Sequence, residues 1–515
     1  MLGRHAGSAK HLCEGRVLRR RTAVTEKAST IPPEGRITPY KTLGRLAILN
    51  SQFSCQPSVH AHNQHATMEQ QVLDLLAATL DPSGPIRIDA ERRLEQLYTN
   101  DAFPMSLISI ASHKSIELQH RQAALLYFRK VVLKTWSPSI DDFEGPNVMS
   151  DTIKEQVRQS IFSIATAGDE EKKVTAVASY LVSKIASVDF PDQWPTLLPT
   201  LLNLVPHAND TQLHGVLVVL SDLVDDGLDE ERFAACAAEL MRGLYDVATN
   251  DQKKLMSRAL AVSMFRSSIN TMESIYQTNP AAVEQFMQSA SEAWVPFFIE
   301  TVKSPLPAMP SELDEPGSPG IRGWRGVVAL KTQAVKALEK IHTVFPQLLL
   351  AHTMLLFSTV WEALHTHLEP YHILYTHEEQ PEGKLKDDDK LPYSLDQLVI
   401  EEVDYIQTLL STSAVKHELD AQLASENVAN GGQNGSWITQ VLAIAVGFSY
   451  VVAEDENMWE FDVNTFLAEE TADSAAYSAR NACAEVVGKL CSHEWPVLEN
   501  LLTFSKSIFD DPPST

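Results

Sequence analysis

From Met68 to the end of this 515-residue chain, apolar residues recur every three or four positions in one segment after another, and short Pro, Gly, Asp or Asn breaks separate the segments. That period gathers the apolar side chains on one face of a helix. Examples are Ile86, Ala90, Leu94, Leu97; Ile153, Val157, Ile161, Ile164; Leu213, Leu217, Leu220, Val224; and Val327, Leu330, Ala334, Leu338, Ile341, Phe345. No convincing run of alternating β pattern interrupts them, so the expected class is all-α. A coiled coil would hold a strict seven-residue period without such breaks, and a single bundle rarely runs to about fifteen helices. Leu94, Leu125, Leu181, Leu220 and Val262, taken as centres of alternate helices, fall 31, 56, 39 and 42 residues apart. These intervals scatter around the roughly 40 to 47 residues of stacked helix-pair units, which predicts about eight antiparallel pairs in an α-solenoid.

One inter-helix corner stands out: Asp189-Phe-Pro-Asp-Gln-Trp-Pro-Thr-Leu-Leu-Pro199. Asp189 suits an N-cap, and Pro191 or Pro195 suits the first turn of the next helix, where a missing N–H costs nothing. Phe190 and Trp194 are expected to pack back on the preceding helix, whose stripe is Val174, Val177, Leu181, Ile185 and Val188. A weaker echo, Glu494-Trp-Pro-Val-Leu498, lies about three hundred residues later, as internal repetition predicts.

The formal net charge of −25 is uneven: residues 1–67 carry ten Lys or Arg against three Glu, which leaves −32 on residues 68–515. An acidic body of that size disfavours nucleic acid and anionic membranes as direct partners and suits basic proteins. Five scattered cysteines make no disulfide framework and point to a reducing, intracellular compartment. The longest apolar stretch, residues 437–453, is broken by Thr439, Gln440 and Ser449, short of a membrane span, so a soluble protein is expected. Residues 1–67, with Arg19, Arg20 and Arg21 in a row, read as a basic, disordered leader or a presequence, the alternative being that Met68 is the ordinary start.

Three interruptions are too long for repeat turns. Residues 303–325 hold five prolines with Glu312, Asp314 and Glu315, which predicts an exposed, mobile loop; residues 377–394 are charged and include Asp387, Asp388 and Asp389. Residues 454–473 carry eight acids and no base, with Trp459, Phe461 and Phe466 among them. Rings supply contact area and cation–π attraction while carboxylates steer, so Glu454, Asp455, Glu456, Trp459, Glu460, Phe461, Asp462, Glu469, Glu470 and Asp473 are candidates for holding a basic cargo.

Chemistry is hard to assemble. The chain has no Gly-rich phosphate loop, G-x-S-x-G, H-E-x-x-H or C-x-x-C, and the expectation is a protein without cofactor, metal or catalysis. His365 and His367 stand two apart, on different sides of a helix, where metal ligands need three or four; solvent-facing or loop histidines are expected instead. Cys483 falls on the stripe Ala479, Val486, Leu490 and reads as a small core residue.

Taken together these residues resemble the importin-β (karyopherin-β) family of HEAT-repeat nuclear transport receptors. The matching stretches are Ala90-Glu-Arg-Arg-Leu-Glu-Gln-Leu97, Phe103 with Leu107, Arg121-Gln-Ala-Ala-Leu-Leu-Tyr-Phe-Arg-Lys130 and Lys134-Thr-Trp136; the corner built on Phe190, Pro191, Trp194 and Pro195; and Met458-Trp-Glu-Phe-Asp-Val-Asn-Thr-Phe-Leu467 followed by Glu469 and Glu470. The last is similar to an acidic segment of larger importins, and the detail is most like the importin-nine type. The resemblance implies a right-handed superhelix of antiparallel helix pairs. It would comprise an amino-terminal domain at 68–140, further repeats over 141–302 and 326–453, the insertions at 303–325, 377–394 and 454–473, and closing helices at 474–515. Family members are usually about twice as long and solenoids carry polar caps at their ends, so the chain resembles an amino-terminal half.

Further, the resemblance implies a monomer that shuttles between cytoplasm and nucleus, contacts Phe-Gly nucleoporins in grooves between outer helices, and is governed by the small GTPase Ran in its GTP form. Ran would be gripped by inner helices at 85–99, 118–136, 175–188 and 212–226. Arg121, Gln122 and Lys130 are the exposed candidates there, and Asp222, Asp225 and Asp226 offer acids to a basic face. Histones and other basic nuclear proteins are the implied cargo. An exportin of the same family and a non-transport HEAT scaffold, such as a phosphatase subunit, are the alternatives.

Overall fold

The structure, a computed structural model, describes residues 59–145, 149–310, 318–376, 393–429, 437–464, 467, 477–493 and 495–510. Among them every regular element is helical. The first eight helices are α1 (Val59–Thr79), α2 (Gly84–Gln96), α3 (Ala102–Ser112), α4 (Leu118–Thr135), α5 (Asp151–Ala165), α6 (Lys172–Asp189), α7 (Leu197–Leu204) and α8 (Asp210–Asp222). Next come α9 (Glu230–Thr249), α10 (Leu255–Tyr276), α11 (Pro280–Lys303), α12 (Pro319–Val344), α13 (Thr353–Tyr375) and α14 (Leu395–Leu410). The last are α15 (Ser413–Ala429), α16 (Trp437–Phe448), α17 (Ala453–Phe461), α18 (Ala479–Cys491) and α19 (Val497–Asp510).

Consecutive helices pair through short turns and therefore run antiparallel. The pairs stack in two layers. In one, α1, α3 and α5 pack in sequence, as do α7, α9, α11, α13, α16 and α19. In the other, α4, α6, α8, α10, α12, α14 and α18 form an unbroken row. Most helices thus touch their partner and a neighbour in their own layer, the nearest-neighbour packing of a HEAT-repeat α-solenoid. Leu94, Leu125, Leu181, Leu220 and Val262 lie on α2, α4, α6, α8 and α10 and are all fully buried, though Leu94 and Leu220 sit near the C-terminal ends of their helices and not at the centres.

Local chemistry sets the helix ends. The side chains of Asn209, Asp229, Ser318, Ser394 and Ser478 each accept the N–H three residues on, satisfying an orphan donor at about 1 kcal/mol apiece. At the other ends, second-layer cations reach the last carbonyls of first-layer helices. Arg121 Nε donates to Ala111 O at 2.7 Å, Arg258 Nε to Ala248 O at 2.7 Å and Lys331 Nζ to Val302 O at 2.6 Å. A cation there meets both the unpaired carbonyl and the negative end of the helix dipole. Gly215 permits one close approach: a Cβ on it would sit 2.1 Å from Ala165 O.

Four expectations change. α1 begins at Val59, not just after Met68, because residues 59–67 are polar yet hold no Gly or Pro to break a helix. Of the insertion expected at 303–325, residues 319–325 belong to α12: Ser318 caps it and Pro319 fills its first turn. Leu306 and Met309 pack on the core, and Arg325 is buried over the Tyr393 ring, so these residues are not a mobile loop. Residues 454–461, expected as loop, form most of α17. Residues 1–58, 311–317 and 377–392 lie outside the described residues.

The fourth change is the corner. Asp189 is not an N-cap but the last residue of α6, and Pro191 and Pro195 both precede α7, the Phe190–Pro191 peptide being cis. The Asp189 carboxylate is turned inward, accepting Trp136 Nε1 at 3.0 Å and Arg158 Nη1 at 2.7 Å. Those buried partners, on the end of α4 and the body of α5, outcompete a cap for the same oxygens. Trp194 packs edge-on against Phe162 of α5, at 6.3 Å between ring centres, while Phe190 is half-buried against the core. The echo holds the same place in its pair: Trp495-Pro496 directly precedes α19, and Trp495 sits edge-on to Trp437.

Candidate functional site

The residues expected to grip Ran lie on α4, at the end of α8 and in the turn after it, with α6 between the two helices, and not all face outward. Arg121, expected exposed, is only 4 % exposed. Besides Ala111 it pairs with Glu170, equally buried, at 2.5 Å, so it ties α3, α4 and the turn before α6 together. Its stripe position beside Ala124, Leu125 and Phe128 turns it inward. Gln122 is half-buried, and its side-chain nitrogen has no hydrogen-bond partner among the described residues. Lys130 is exposed, its ammonium 4.8 Å from the Tyr127 ring centre.

α8 stops at Asp222, and Leu223–Gly227 forms a π turn that redirects the chain toward α9. Asp222 is half-buried and engaged, Asp225 is exposed and accepts Ser221 Oγ at 3.4 Å, and the side chain of Asp226 lies outside the described residues.

The surface shows what the motif-based reading missed. Leu126 on α4 is 50 % exposed, and Tyr180 on the neighbouring α6 is 38 % exposed. The Arg129 guanidinium lies 4.5 Å from the Tyr180 ring centre, bridging the two helices, and Lys130 follows it. An apolar, aromatic and basic patch therefore spans α4 and α6. Its signal in the sequence is Leu126, an apolar residue standing off the buried stripe of its helix.

The acidic segment is a helix with an open end. Asp455 caps the first turn of α17, accepting the Val452 N–H at 3.4 Å, and pairs with Arg480 on α18. It is thus held within the fold. Glu456 and Glu460 are exposed, and Trp459 and Phe461 are 48 % and 94 % exposed at the helix's C-terminal end, followed by exposed Asp462. The Glu454 side chain, Glu469, Glu470 and Asp473 lie outside the described residues.

Elsewhere polar groups serve the core. His367, expected in solvent or a loop, is buried and shares a 2.8 Å contact with the fully buried Glu402, while His372 Nε2 meets Gly447 O at 2.6 Å. No metal-holding group of side chains occurs among the described residues. Burial pushes the Cys483 thiol up to about 12, so it stays protonated. Burial likewise pulls the Lys331 ammonium from 10.5 to about 8.

Comparison with known proteins bears on the same stretches. Residues 90–166, covering the second half of α2 and all of α3 to α5, match the importin-beta N-terminal domain, and residues 432–515, covering α16 to α19, match importin-9 central HEAT repeats. Importin subunit beta-5 of Schizosaccharomyces pombe is 28 % identical over 308 residues, 59 % of this chain and 30 % of that protein. Importin-11 of Homo sapiens is 22 % identical over 446 residues, 82 % of this chain and 42 % of that one. Among solved structures, the exportin Cse1 in its cargo-free, cytoplasmic state aligns over 86 % of this chain and 45 % of its own, with a TM-score of 0.59 and 16 % identity. The chain spans less than half the length of each of these relatives. Near both ends of its row of helix pairs, the chain is thus similar to the importin-β (karyopherin-β) family.

Proposed function

We propose that this chain is the Ran-responsive part of a nuclear import receptor that carries basic cargo, histones among them, and releases it when Ran-GTP binds. The observation that carries the reading is the patch of Leu126, Arg129, Lys130 and Tyr180, which lies within and beside the stretch similar to the importin-beta N-terminal domain. Exposed apolar and aromatic residues flanked by cations are the composition of interface hot spots. Lys130 keeps its part in this reading; Arg121 becomes a residue that holds the patch in place; and Asp225, beyond the end of α8, offers a carboxylate to a basic surface.

The acidic end of α17 takes the cargo. Trp459 and Phe461 would lie against Lys or Arg side chains while Glu456, Glu460 and Asp462 neutralise them, giving salt-sensitive binding. Phe-Gly nucleoporins would use grooves of the first layer, and the protein would move between cytoplasm and nucleus as a monomer. Catalysis has no place in this scheme: Ran is bound and nothing is hydrolysed.

Export is the second reading, favoured by the fold shared with the exportin Cse1. Calorimetric titration of the whole chain with Ran loaded with GTP or GDP, with and without a core histone dimer, separates them. Import predicts GTP-selective binding that expels the dimer; export predicts that Ran-GTP tightens cargo binding; no binding to either form of Ran contradicts both.

A further inference from the structure

One turn edge of this acidic body gathers positive charge. α14 and α18 are neighbours in the second layer, and the turns that follow them lead into α15 and α19. Trp495, just before α19, donates its indole N–H to Asp420 on α15 at 2.6 Å. The His493 ring lies 4.6 Å from the Trp495 ring, centre to centre, and Trp437 meets the same indole edge-on at 4.9 Å. That arrangement draws two cations together: Lys416 stands one turn before Asp420 on α15, and Lys489, in the last turn of α18, stands four residues before His493. Burial, and then the Lys416 and Lys489 charges, hold the His493 imidazole below the ordinary histidine range, against the pull of Asp420.

The fold does not offset this charge. Lys416 and Lys489 are half-buried, and neither makes an ion pair among the described residues, outside which the Glu494 side chain lies. Lys489 complements the negative end of its helix dipole, but Lys416 sits in the first turn of α15, where the dipole opposes a cation. A ring nitrogen of His493 is buried with no hydrogen-bond partner among the described residues, although buried polar groups are normally paired. Like charges held together in this way are unfavourable until an anion joins them.

A phosphomonoester fits that role: it brings close to two negative charges to two lysines and three strong acceptor oxygens to donors that have none. A carboxylate would leave one cation unmatched. Nucleic acid, with phosphate after phosphate, would meet the −32 carried by residues 68–515, whereas a single phosphorylated side chain meets only this spot. We propose that Lys416 and Lys489, beside His493, bind a phosphorylated serine or threonine of a protein partner, with the adjoining main chain against the part-exposed Trp495 ring. The site lies on other helices than the Leu126 and Tyr180 patch and α17, and it selects a partner by modification instead of by basic charge.

Fluorescence anisotropy of the whole chain with labelled Gly-Ala-Ala-Ser-Ala-Ala-Gly, its serine phosphorylated, unmodified or replaced by Glu, tests it. The phosphopeptide is expected to bind about tenfold tighter than the unmodified one at low salt, with the Glu peptide between them and an advantage that shrinks as salt rises. Lys416→Gln with Lys489→Gln should abolish the advantage without lowering the temperature of thermal unfolding, since it relieves crowded charge. Lys303→Glu, at an exposed position on α11, should leave the advantage intact. Inorganic phosphate equal in concentration to the phosphopeptide should leave most of the peptide bound. Equal binding of the three peptides, binding of none, an advantage that survives in the double variant or is lost in Lys303→Glu, a double variant that unfolds earlier, or full displacement by inorganic phosphate, which would mean an adventitious ion only, would each overturn the proposal.

Discussion

The corner between α6 and α7 and the end of α17 are built from the same residue types, turned in opposite directions. At the corner Trp136 is fully buried, Trp194 nearly so, and Asp189 is 5 % exposed between a tryptophan and an arginine. At α17, Trp459 and Phe461 stand out in solvent beside unburied carboxylates. Both are stretches of acids and aromatics in sequence, and both resemble family motifs. The difference lies in partners: the corner has Arg158 and two adjoining helices to close over it, whereas in α17 only Asp455 finds a cation, Arg480, among the described residues. An acid–aromatic motif is therefore buried where the fold brings a buried cation to it and stays on the surface where it does not.

Breaking the corner should do the most damage. Asp189→Ala strands the Arg158 guanidinium, 7 % exposed, and leaves the Trp136 N–H unpaired. Loss of one partner from a buried pair costs about 3–5 kcal/mol, and Glu155 on the other side of Arg158 keeps the loss near the lower figure. Urea denaturation and hydrogen exchange across α4 to α6 measure it; a loss below about 1 kcal/mol, the size of a surface pair, would remove the distinction between the two regions.

Gly215→Ala tests the same inward packing without touching charge. Its Cβ would collide with Ala165 O, and the shift needed should cost about 1–3 kcal/mol by thermal unfolding. Lys331 sharpens the comparison through pH. Its folded pKa, about 8, lies below the ordinary 10.5, so between those values the unfolded chain binds more protons and stability rises with pH. Below about pH 8 both states are protonated and the contribution is flat. The stability of the native protein relative to Lys331→Met should therefore climb from about pH 8 to about 10.5; a constant difference would show that the ammonium is not held in the core. Trp459→Ser with Phe461→Ser should move stability least, within about 0.5 kcal/mol, while weakening a histone dimer about tenfold in an anisotropy assay.

Periodicity made the fold legible because burial imposes it: Leu94, Leu125, Leu181, Leu220 and Val262, chosen on spacing, are all fully buried. Boundaries were less so where the signal was composition. Five prolines in residues 303–325 read as loop, yet one of them, Pro319, starts a helix. The site was legible as a location and less as residues. Arg121 looked like an exposed cation because its motif is polar, while its burial depends on Glu170, forty-nine positions away. Leu126 and Tyr180 were hidden for the converse reason, since an apolar residue in an amphipathic helix is expected to face the core.

Hydrogen–deuterium exchange on the whole chain, alone, with Ran bound to a non-hydrolysable GTP analogue, and with a histone dimer, puts the two-region account to its most direct test. The account predicts that Ran protects α4 and α6 and leaves α17 unchanged, while the histone dimer protects α17. Protection of α17 by Ran with none at α4 and α6, or no protection at α17 from the histone dimer, would contradict it.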